Sequence, residues 1–235
     1  MKPEFVLMLT HNDQTVGNAL ELFQECKNTP VVNWGFKDVG LPPAEMENLV
    51  HKMKEEGKTT FLEVVSLSEE EGLAGAKIAV DAGFDNLMGT VFFDSILAYL
   101  NGKPVKYYPF PGHVFSHPSV LDGEIEEIVE HALDLEKKGV HGLDLLSYRY
   151  IGDGSALLRA VVEATQVPIV SAGSIDSYER ITEVWSAGAW GFTIGGALFD
   201  KKFVPEGSFK DNILGVCDWL KYKKEPELRI IRQED

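Results

Sequence analysis

Short apolar or β-branched runs alternate with longer amphipathic segments along the whole chain. The short runs are typical of buried strands and the longer segments place apolar residues at helical spacing, so the pattern indicates repeated βα units on a parallel sheet. The predicted strands are Phe5–Thr10, Val31–Lys37, Thr59–Ser66, Asn86–Val91, Val105–Pro109, Val140–Tyr148, Pro168–Ala172 and Gly191–Ile194. Eight uninterrupted units predict an α/β fold, a single-domain (β/α)8 TIM barrel, because an open doubly wound sheet usually has fewer strands.

Helix and loop signals between the strands refine this pattern. The first helix is expected to begin near Asp13, and Ser68 has the position of an N-cap, with Glu71 three residues later as in a capping box. The segment 110–123 is the longest irregular stretch, and we expect it to form a lid over the mouth of the barrel. No linker divides the chain, so one domain is predicted, with a charged tail at 223–235 that frays.

The chain is strongly acidic. Lys and Arg number 22 against 37 Asp and Glu, which gives a formal net charge of -15. This charge repels the phosphate backbone that dominates nucleic-acid affinity, and it also opposes an anionic membrane surface. We therefore predict neither nucleic acid nor a membrane as a partner. A small phosphate is still compatible with this charge, since backbone amides can bind it.

The sequence also bears on compartment and cofactors. No run approaches the roughly 18 consecutive apolar residues of a membrane span, and Met1–Glu4 lacks the features of a signal peptide, so a cytoplasmic location is predicted. Cys26 and Cys217 are too few for a disulfide framework. No cluster of Asp and His on adjacent strands completes a metal site, and no third glycine completes a dinucleotide pattern at Gly152 and Gly154. We predict no metal and no cofactor.

Two glycine-containing loops follow the last two predicted strands. Gly173 and Ser174 follow the seventh strand, and Gly195 and Gly196 follow the eighth. In a (β/α)8 barrel these loops often bind phosphate through backbone N–H groups, and glycine removes the Cβ that would keep a phosphate oxygen away from the main chain. We interpret all four residues as phosphate-binding. The alternative is that the glycines only form the tight turns that any barrel needs.

The sequence around these loops resembles a known superfamily. The stretches 167–177 and 187–203, which read VPIVSAGSIDS and AGAWGFTIGGALFDKKF, look like the last quarter of the ribulose-phosphate-binding TIM barrels. Within that superfamily they are most similar to the histidine-biosynthesis isomerase and cyclase barrels, in which the corresponding loops hold a substrate phosphate. The resemblance implies a (β/α)8 fold and a phosphate site at the same four loop residues.

The resemblance does not extend to the catalytic acids. The isomerase barrels carry an Asp at the end of the first strand and a second acid in the fifth loop, whereas this chain has Leu9–Asn12 at the first place and a segment rich in Pro and His at the second. That particular isomerase activity is therefore not expected. His11 becomes a candidate substrate-binding residue. Of His113 and His117 in the fifth loop, we favour His113 as acid or base because it is closer to the strand end.

Polar residues near the carboxyl ends of other strands supply further candidates. Lys37 ends the second strand and Glu63 lies inside the apolar third strand, and strands about 4.8 Å apart would let the two side chains meet. Lys37 would then stabilise an enolate or carbonyl oxygen, or form a Schiff base, while Glu63 moves a proton. The alternative is that Lys37 and Glu63 form only a structural ion pair. Asp144 in the sixth strand is a second acid or a partner of Arg149, which could instead bind an anionic group of the ligand.

Together these features favour an enzyme that binds a small phosphorylated metabolite, in the simplest case a sugar phosphate. We predict isomerisation, epimerisation or C–C cleavage by acid/base chemistry at the C-terminal face of the barrel. The catalytic candidates are Lys37, Glu63, His113 and Asp144, and the substrate-binding candidates are His11 and Arg149. The alternative is a non-catalytic sensor or regulatory protein that keeps the phosphate site. A homodimer is expected only from the general frequency of such assemblies.

Overall fold

The fold is known from a computed structural model, which describes residues 1–223. The prediction of a fraying tail at 223–235 therefore falls, apart from Lys223, outside the described residues. Within the described part of the chain, no helix is both long enough and apolar enough to cross a membrane.

Eight parallel strands form a barrel that is nearly closed, which confirms the predicted (β/α)8 fold. The strands are β1 Glu4–Met8, β2 Asn33–Lys37, β3 Thr59–Ser66, β4 Asn86–Val91, β5 Lys106–Phe110, β6 Leu143–Leu145, β7 Ile169–Ser171 and β8 Gly191–Ile194. Their order around the sheet is β6-β7-β8-β1-β2-β3-β4-β5. Between the two end strands, the backbone N–H of His141 donates to the carbonyl oxygen of Tyr107 at 3.0 Å, which brings the edges together.

Nine helices follow the strands in the described residues and cover the outside of the barrel. They are α1 Ala19–Cys26, α2 Pro43–Glu55, α3 Glu69–Asp81, α4 Asp94–Leu100, α5 Ile125–Lys138, α6 Gly154–Ala164, α7 Tyr178–Ala187, α8 Gly196–Phe199 and α9 Phe209–Tyr222. Helix α5 illustrates the packing, since Ile128, Ala132 and Leu135 recur every three or four residues and are all buried. Buried apolar side chains fill both the barrel interior and the layer between strands and helices.

Side-chain caps begin several helices directly after a short loop. The Ser68 hydroxyl accepts from the backbone N–H of Glu71 at 3.4 Å, which confirms the predicted N-cap. The predicted capping box is wrong in its second half. The Glu71 carboxylate accepts from the Ser68 hydroxyl at 2.9 Å, while the backbone N–H of Ser68 donates to the hydroxyl of Ser66 at 3.2 Å. The Ser66 hydroxyl has taken the place that Glu71 would fill in a capping box.

The first βα loop departs from the prediction. A helix was expected from about Asp13, but Thr10–His11 and Gln14–Thr15 form a small antiparallel hairpin, and α1 begins only at Ala19. The two turn residues, Asn12 and Asp13, have φ angles of 49° and 64°. Asn and Asp tolerate this left-handed conformation, and a two-residue hairpin turn requires it. As a result Asp13 points across the barrel mouth and does not cap a helix.

The fifth loop, expected to be irregular, contains a second hairpin of His113–Phe115 and Val120–Asp122. It is fastened to the sixth loop, because the backbone N–H of Ile151 donates to the Leu121 carbonyl at 3.1 Å and the Tyr150 hydroxyl donates to the Gly123 carbonyl at 2.7 Å. The tip of this hairpin lies over the carboxyl ends of the strands. The predicted lid therefore has regular structure of its own.

Candidate active site

One cavity of about 650 Å³ opens at the carboxyl ends of the strands. Its walls come from the loops after β1, β5, β6, β7 and β8, together with Lys37 of β2 and Glu63 of β3. Eight of the ten residues predicted for the site line it, namely His11, Lys37, Glu63, Arg149, Gly173, Ser174, Gly195 and Gly196. The two others, His113 and Asp144, do not line it.

Lys37 is the centre of the charged part of the cavity. Because β2 and β3 are parallel neighbours with Lys37 paired to Glu63 in register, both side chains enter the barrel, and Lys37 Nζ lies 3.6 Å from Glu63 Oε1. The ammonium also donates a short hydrogen bond to the Asp13 carboxylate. The Lys37 side chain is only 5% exposed. The expected meeting of Lys37 and Glu63 is therefore present, with Asp13 as a third member that the sequence did not assign to this cluster.

The two neighbouring carboxylates determine the protonation state of Lys37. Burial on its own would lower the pKa of Lys37, but the negative charges of Glu63 and Asp13 raise the pKa above its ordinary value. The amine is therefore protonated at neutral pH. A Schiff base needs a neutral amine, so this geometry favours Lys37 as a fixed positive charge over Lys37 as a nucleophile.

The histidine that the structure brings to this cluster is His117, not His113. His117 Nε2 lies 2.7 Å from Asp13 Oδ2, and its ring is 61% exposed at the cavity mouth. His113 lies on the first strand of the fifth-loop hairpin, where its ring stacks on Phe115 with centroids 5.5 Å apart. Distance along the chain from the strand end is misleading here, because the hairpin turns back and carries its tip toward the barrel mouth.

Asp144 lies below the floor of the cavity. It is completely buried, and neither carboxyl oxygen has a hydrogen-bond partner in the described residues 1–223. Burial raises the pKa of Asp144 well above its ordinary value, and the nearby negative charge of Glu63 raises it further. Asp144 is thus a buried carboxyl group whose protonated form is favoured, and Glu63 is the neighbouring carboxylate that contributes to this shift. The hydrogen bond to Arg149 considered from the sequence is not formed.

The loop after β7 and the turn after β6 face each other across the other side of the cavity. Gly173 has a φ of 76° and packs so closely that an added Cβ would lie 2.8 Å from Arg149 Nε, so only glycine fits. Arg149 forms no ion pair with any residue of the described chain. An arginine with no carboxylate partner beside a glycine turn suits an anionic ligand.

The loop after β8 completes this side of the cavity. Gly196 begins the short helix α8, and a Cβ at Gly196 would meet nothing nearer than His11 Cδ2 at 3.8 Å. The first N–H groups of a helix have no acceptor within it, so they can face a ligand. His11 stacks on Phe199 with centroids 5.2 Å apart, and its Nε2 lies 3.1 Å from Asp200 Oδ1. His11 therefore forms a wall of the cavity beside the glycine loop.

Thr10 is a further cavity residue that the sequence did not single out. Thr10 lines the cavity, and its hydroxyl oxygen is buried without a hydrogen-bond partner among residues 1–223. Buried hydroxyl groups are nearly always paired in proteins, so Thr10 is suited to bind a polar group of a ligand.

Asp38 gives a pH-dependent test of the strand end that carries Lys37. Burial first, and then the charge of Glu63, raise the pKa of Asp38 to about 6. A raised pKa means that the folded state favours the protonated form, so this contribution to stability is complete below about pH 4 and is lost as the pH rises through 6. We expect Asp38→Asn, which cannot ionise, to be more stable than the wild type at pH 8 by about 2–3 kcal/mol, with no gain at pH 4.

Urea unfolding of both proteins between pH 4 and pH 8 measures this difference. Asp81→Asn, which makes the same charge change at an exposed site at the end of α3, is the control and should show no such dependence. An equal gain for Asp38→Asn at every pH would mean that folding does not raise the pKa of Asp38.

The molecule is thus a (β/α)8 barrel with a polar cavity at the carboxyl ends of its strands, charged on one side and lined by glycine loops on the other. No protein-family model matches the chain. No curated protein matches it in sequence either. Its similarity to known proteins is therefore one of structure.

Among solved structures, the chain is similar to the orotidine 5'-phosphate decarboxylase of Pyrococcus horikoshii OT3, with a TM-score of 0.68, 12% identity, and coverage of 92% of this chain and 99% of that one. It is also similar to the N-acetylmannosamine-6-phosphate 2-epimerase of Clostridium perfringens, with a TM-score of 0.60, 11% identity, and coverage of 85% and 91%. FabK of Thermotoga maritima has a TM-score of 0.56 and 11% identity over 84% of this chain, which spans 59% of FabK. At these identities the likeness shows the fold.

Proposed function

We propose that this protein is an enzyme that binds a small phosphorylated metabolite and moves a proton next to its carbonyl group. The observation that carries the proposal is Lys37, a buried ammonium held between Asp13 and Glu63 in the same cavity as the glycine loops. Such chemistry gives isomerisation or epimerisation of a sugar phosphate. It also gives C–C cleavage in which the same enolate is the leaving group.

The division of labour follows from the charges. Removal of a proton next to a carbonyl leaves negative charge on the carbonyl oxygen, and a fixed positive charge at Lys37 stabilises that oxygen without reorganisation. Glu63 is the proposed base, and His117, paired with Asp13, is the proposed acid at the mouth of the cavity. Asp144 acts through Glu63, since it does not reach the cavity.

The proposed phosphate site is the opposite side of the cavity. Two glycine loops, with Arg149 packed beside Gly173, offer backbone N–H groups and one bidentate cation. Two of the structural neighbours are named for reactions of phosphorylated compounds, which supports a phosphorylated ligand. The resemblance of residues 167–203 to the histidine-biosynthesis barrels agrees with it, and membership of the ribulose-phosphate-binding superfamily is part of this proposal. The cytoplasmic location, the absence of nucleic acid as a partner and the homodimer stay predictions.

Proton exchange provides the test. We expect the protein in D₂O to incorporate deuterium at the carbon next to the carbonyl of at least one compound in a panel of phosphorylated aldoses, ketoses and keto acids. Proton NMR measures this exchange even where the equilibrium of the overall reaction hides net turnover. The unphosphorylated compounds are the control and should exchange much more slowly.

Two results would contradict the proposal in different ways. Panel compounds that bind and raise the melting temperature, but show no exchange and no product, would favour the non-catalytic sensor. A panel in which phosphorylated and unphosphorylated compounds bind equally would remove the phosphate site from the proposal.

A further inference from the structure

A second polar cluster lies just outside the cavity, where α7 meets the loops after β6 and β7. Its two charged members on α7 are Arg180 and Glu183, which we call the α7 clamp. Arg180 Nη1 donates a short hydrogen bond to the Ser174 carbonyl and another to Asp176 Oδ1 at 2.9 Å. Its guanidinium carbon also lies 5.0 Å from the centre of the Tyr148 ring. Arg180 therefore connects the glycine loop after β7 to the turn after β6.

Glu183 holds that turn from the same helix. One carboxylate oxygen of Glu183 accepts from the Tyr148 hydroxyl at 2.7 Å and from the Ser155 hydroxyl at 2.7 Å. Tyr148 belongs to the 3₁₀ turn Ser147–Arg149, so its ring anchors the backbone from which Arg149 extends toward the cavity. Hydrogen bonds to a charged acceptor are stronger than those between neutral groups, which makes Glu183 an effective anchor.

The backbone at Ser174 shows why an anchor is needed. Ser174 has a φ of 58°, a left-handed conformation that is unfavourable for a residue other than glycine. The N–H groups of Gly173 and Ser174 have no acceptor among residues 1–223, so the turn donates no hydrogen bond that would hold it in place. The hydrogen bond from Arg180 to the Ser174 carbonyl is the contact that stabilises it.

We infer that the α7 clamp positions both halves of the anion site, Arg180 by fixing the Ser174 turn and Glu183 by fixing the turn that carries Arg149. Neither clamp residue lines the cavity, so both are positioning residues. This inference rests on the proposed function, because it assigns to the clamp the preorganisation of the proposed phosphate site.

The test is the affinity for inorganic phosphate, measured by isothermal titration calorimetry on the full chain. We expect Arg180→Met to bind phosphate about tenfold more weakly than the wild type, because the turn must now be ordered on binding. Arg180→Lys keeps one donor for the Ser174 carbonyl and should recover part of the loss. Arg159→Met is the matched control, since it removes the same charge from an exposed site on α6 and should leave the phosphate affinity unchanged.

A second variant, at the contact of Glu183 with Tyr148, tests the inference even if Arg180→Met does not fold. Tyr148→Phe removes only the hydroxyl that binds Glu183 and should weaken phosphate binding about threefold, with thermal unfolding confirming that each variant is folded. Wild-type phosphate affinity in folded Arg180→Met and Tyr148→Phe would overturn the inference. If Arg180→Met does not fold, Tyr148→Phe decides it alone. A wild type that binds no phosphate would instead overturn the proposed function.

Discussion

Replacing Lys37 by methionine should lower turnover by about 10³-fold, because the charge that stabilises the developing oxyanion is lost while most of the length of the side chain is kept. The measurement is the rate of deuterium exchange for the panel compound that the wild type turns over fastest. Affinity for inorganic phosphate should change little, since the proposed phosphate site lies on the other side of the cavity. Turnover and binding should therefore separate in this variant.

The same variant should be less stable at neutral pH. Methionine leaves Asp13 and Glu63 facing each other, each only 15% exposed and without the cation that both contact, and removing one member of such a buried cluster costs about 3 kcal/mol. Lys58→Met is a suitable control, because Lys58 is a half-buried lysine at the opposite end of β3 that donates to the Val31 carbonyl at 2.9 Å. It should lose some stability and keep full turnover. Full turnover in folded Lys37→Met would mean that Lys37 and Glu63 form only a structural ion pair.

Strand bounds were predictable where the sequence clearly marks the end of the preceding helix. The third strand, Thr59–Ser66, and the fourth, Asn86–Val91, have the predicted bounds, because each is an apolar run preceded by a glycine that ends a helix. The first helix was predicted six residues too early. An Asn-Asp pair is both a helix-start signal and a hairpin-turn signal, and only packing against the barrel mouth decides between them.

Some contacts in the candidate site could likewise be predicted from the sequence, and others could not. Lys37 and Glu63 could be paired from the sequence, because parallel strands put residues of matched register side by side. The contacts of Asp13 with Lys37 and His117 could not, since they join the tip of one hairpin to a strand end and to a second hairpin far away in the sequence. No periodicity or motif in one chain encodes where two such loops meet. The signal that was present, a carboxylate and a histidine at loop tips, does not specify a partner.

Asp144→Asn should become more stable relative to the wild type as the pH rises. Burial raises the pKa of Asp144, so the folded state favours the protonated acid; the stability that depends on it is complete below about pH 4 and is lost as the pH rises toward the raised value. Asparagine cannot ionise and avoids this loss. Melting temperatures between pH 4 and pH 8 measure the difference, and each kcal/mol corresponds to about 2–4 °C in a domain of this size.

The same substitution should lower kcat by about 10²-fold and leave phosphate affinity unchanged, because in the proposed mechanism Asp144 acts on proton transfer at Glu63 and not on ligand binding. A fully buried acid with no hydrogen-bond partner in residues 1–223 lowers the stability of the folded protein. Proteins retain such destabilising residues where activity requires them. The two effects therefore have opposite signs, which a packing defect cannot imitate, since it would lower both stability and turnover. Higher stability with unchanged turnover would exclude Asp144 from the mechanism. A stability difference that does not grow between pH 4 and pH 8 would mean that folding does not raise the pKa of Asp144.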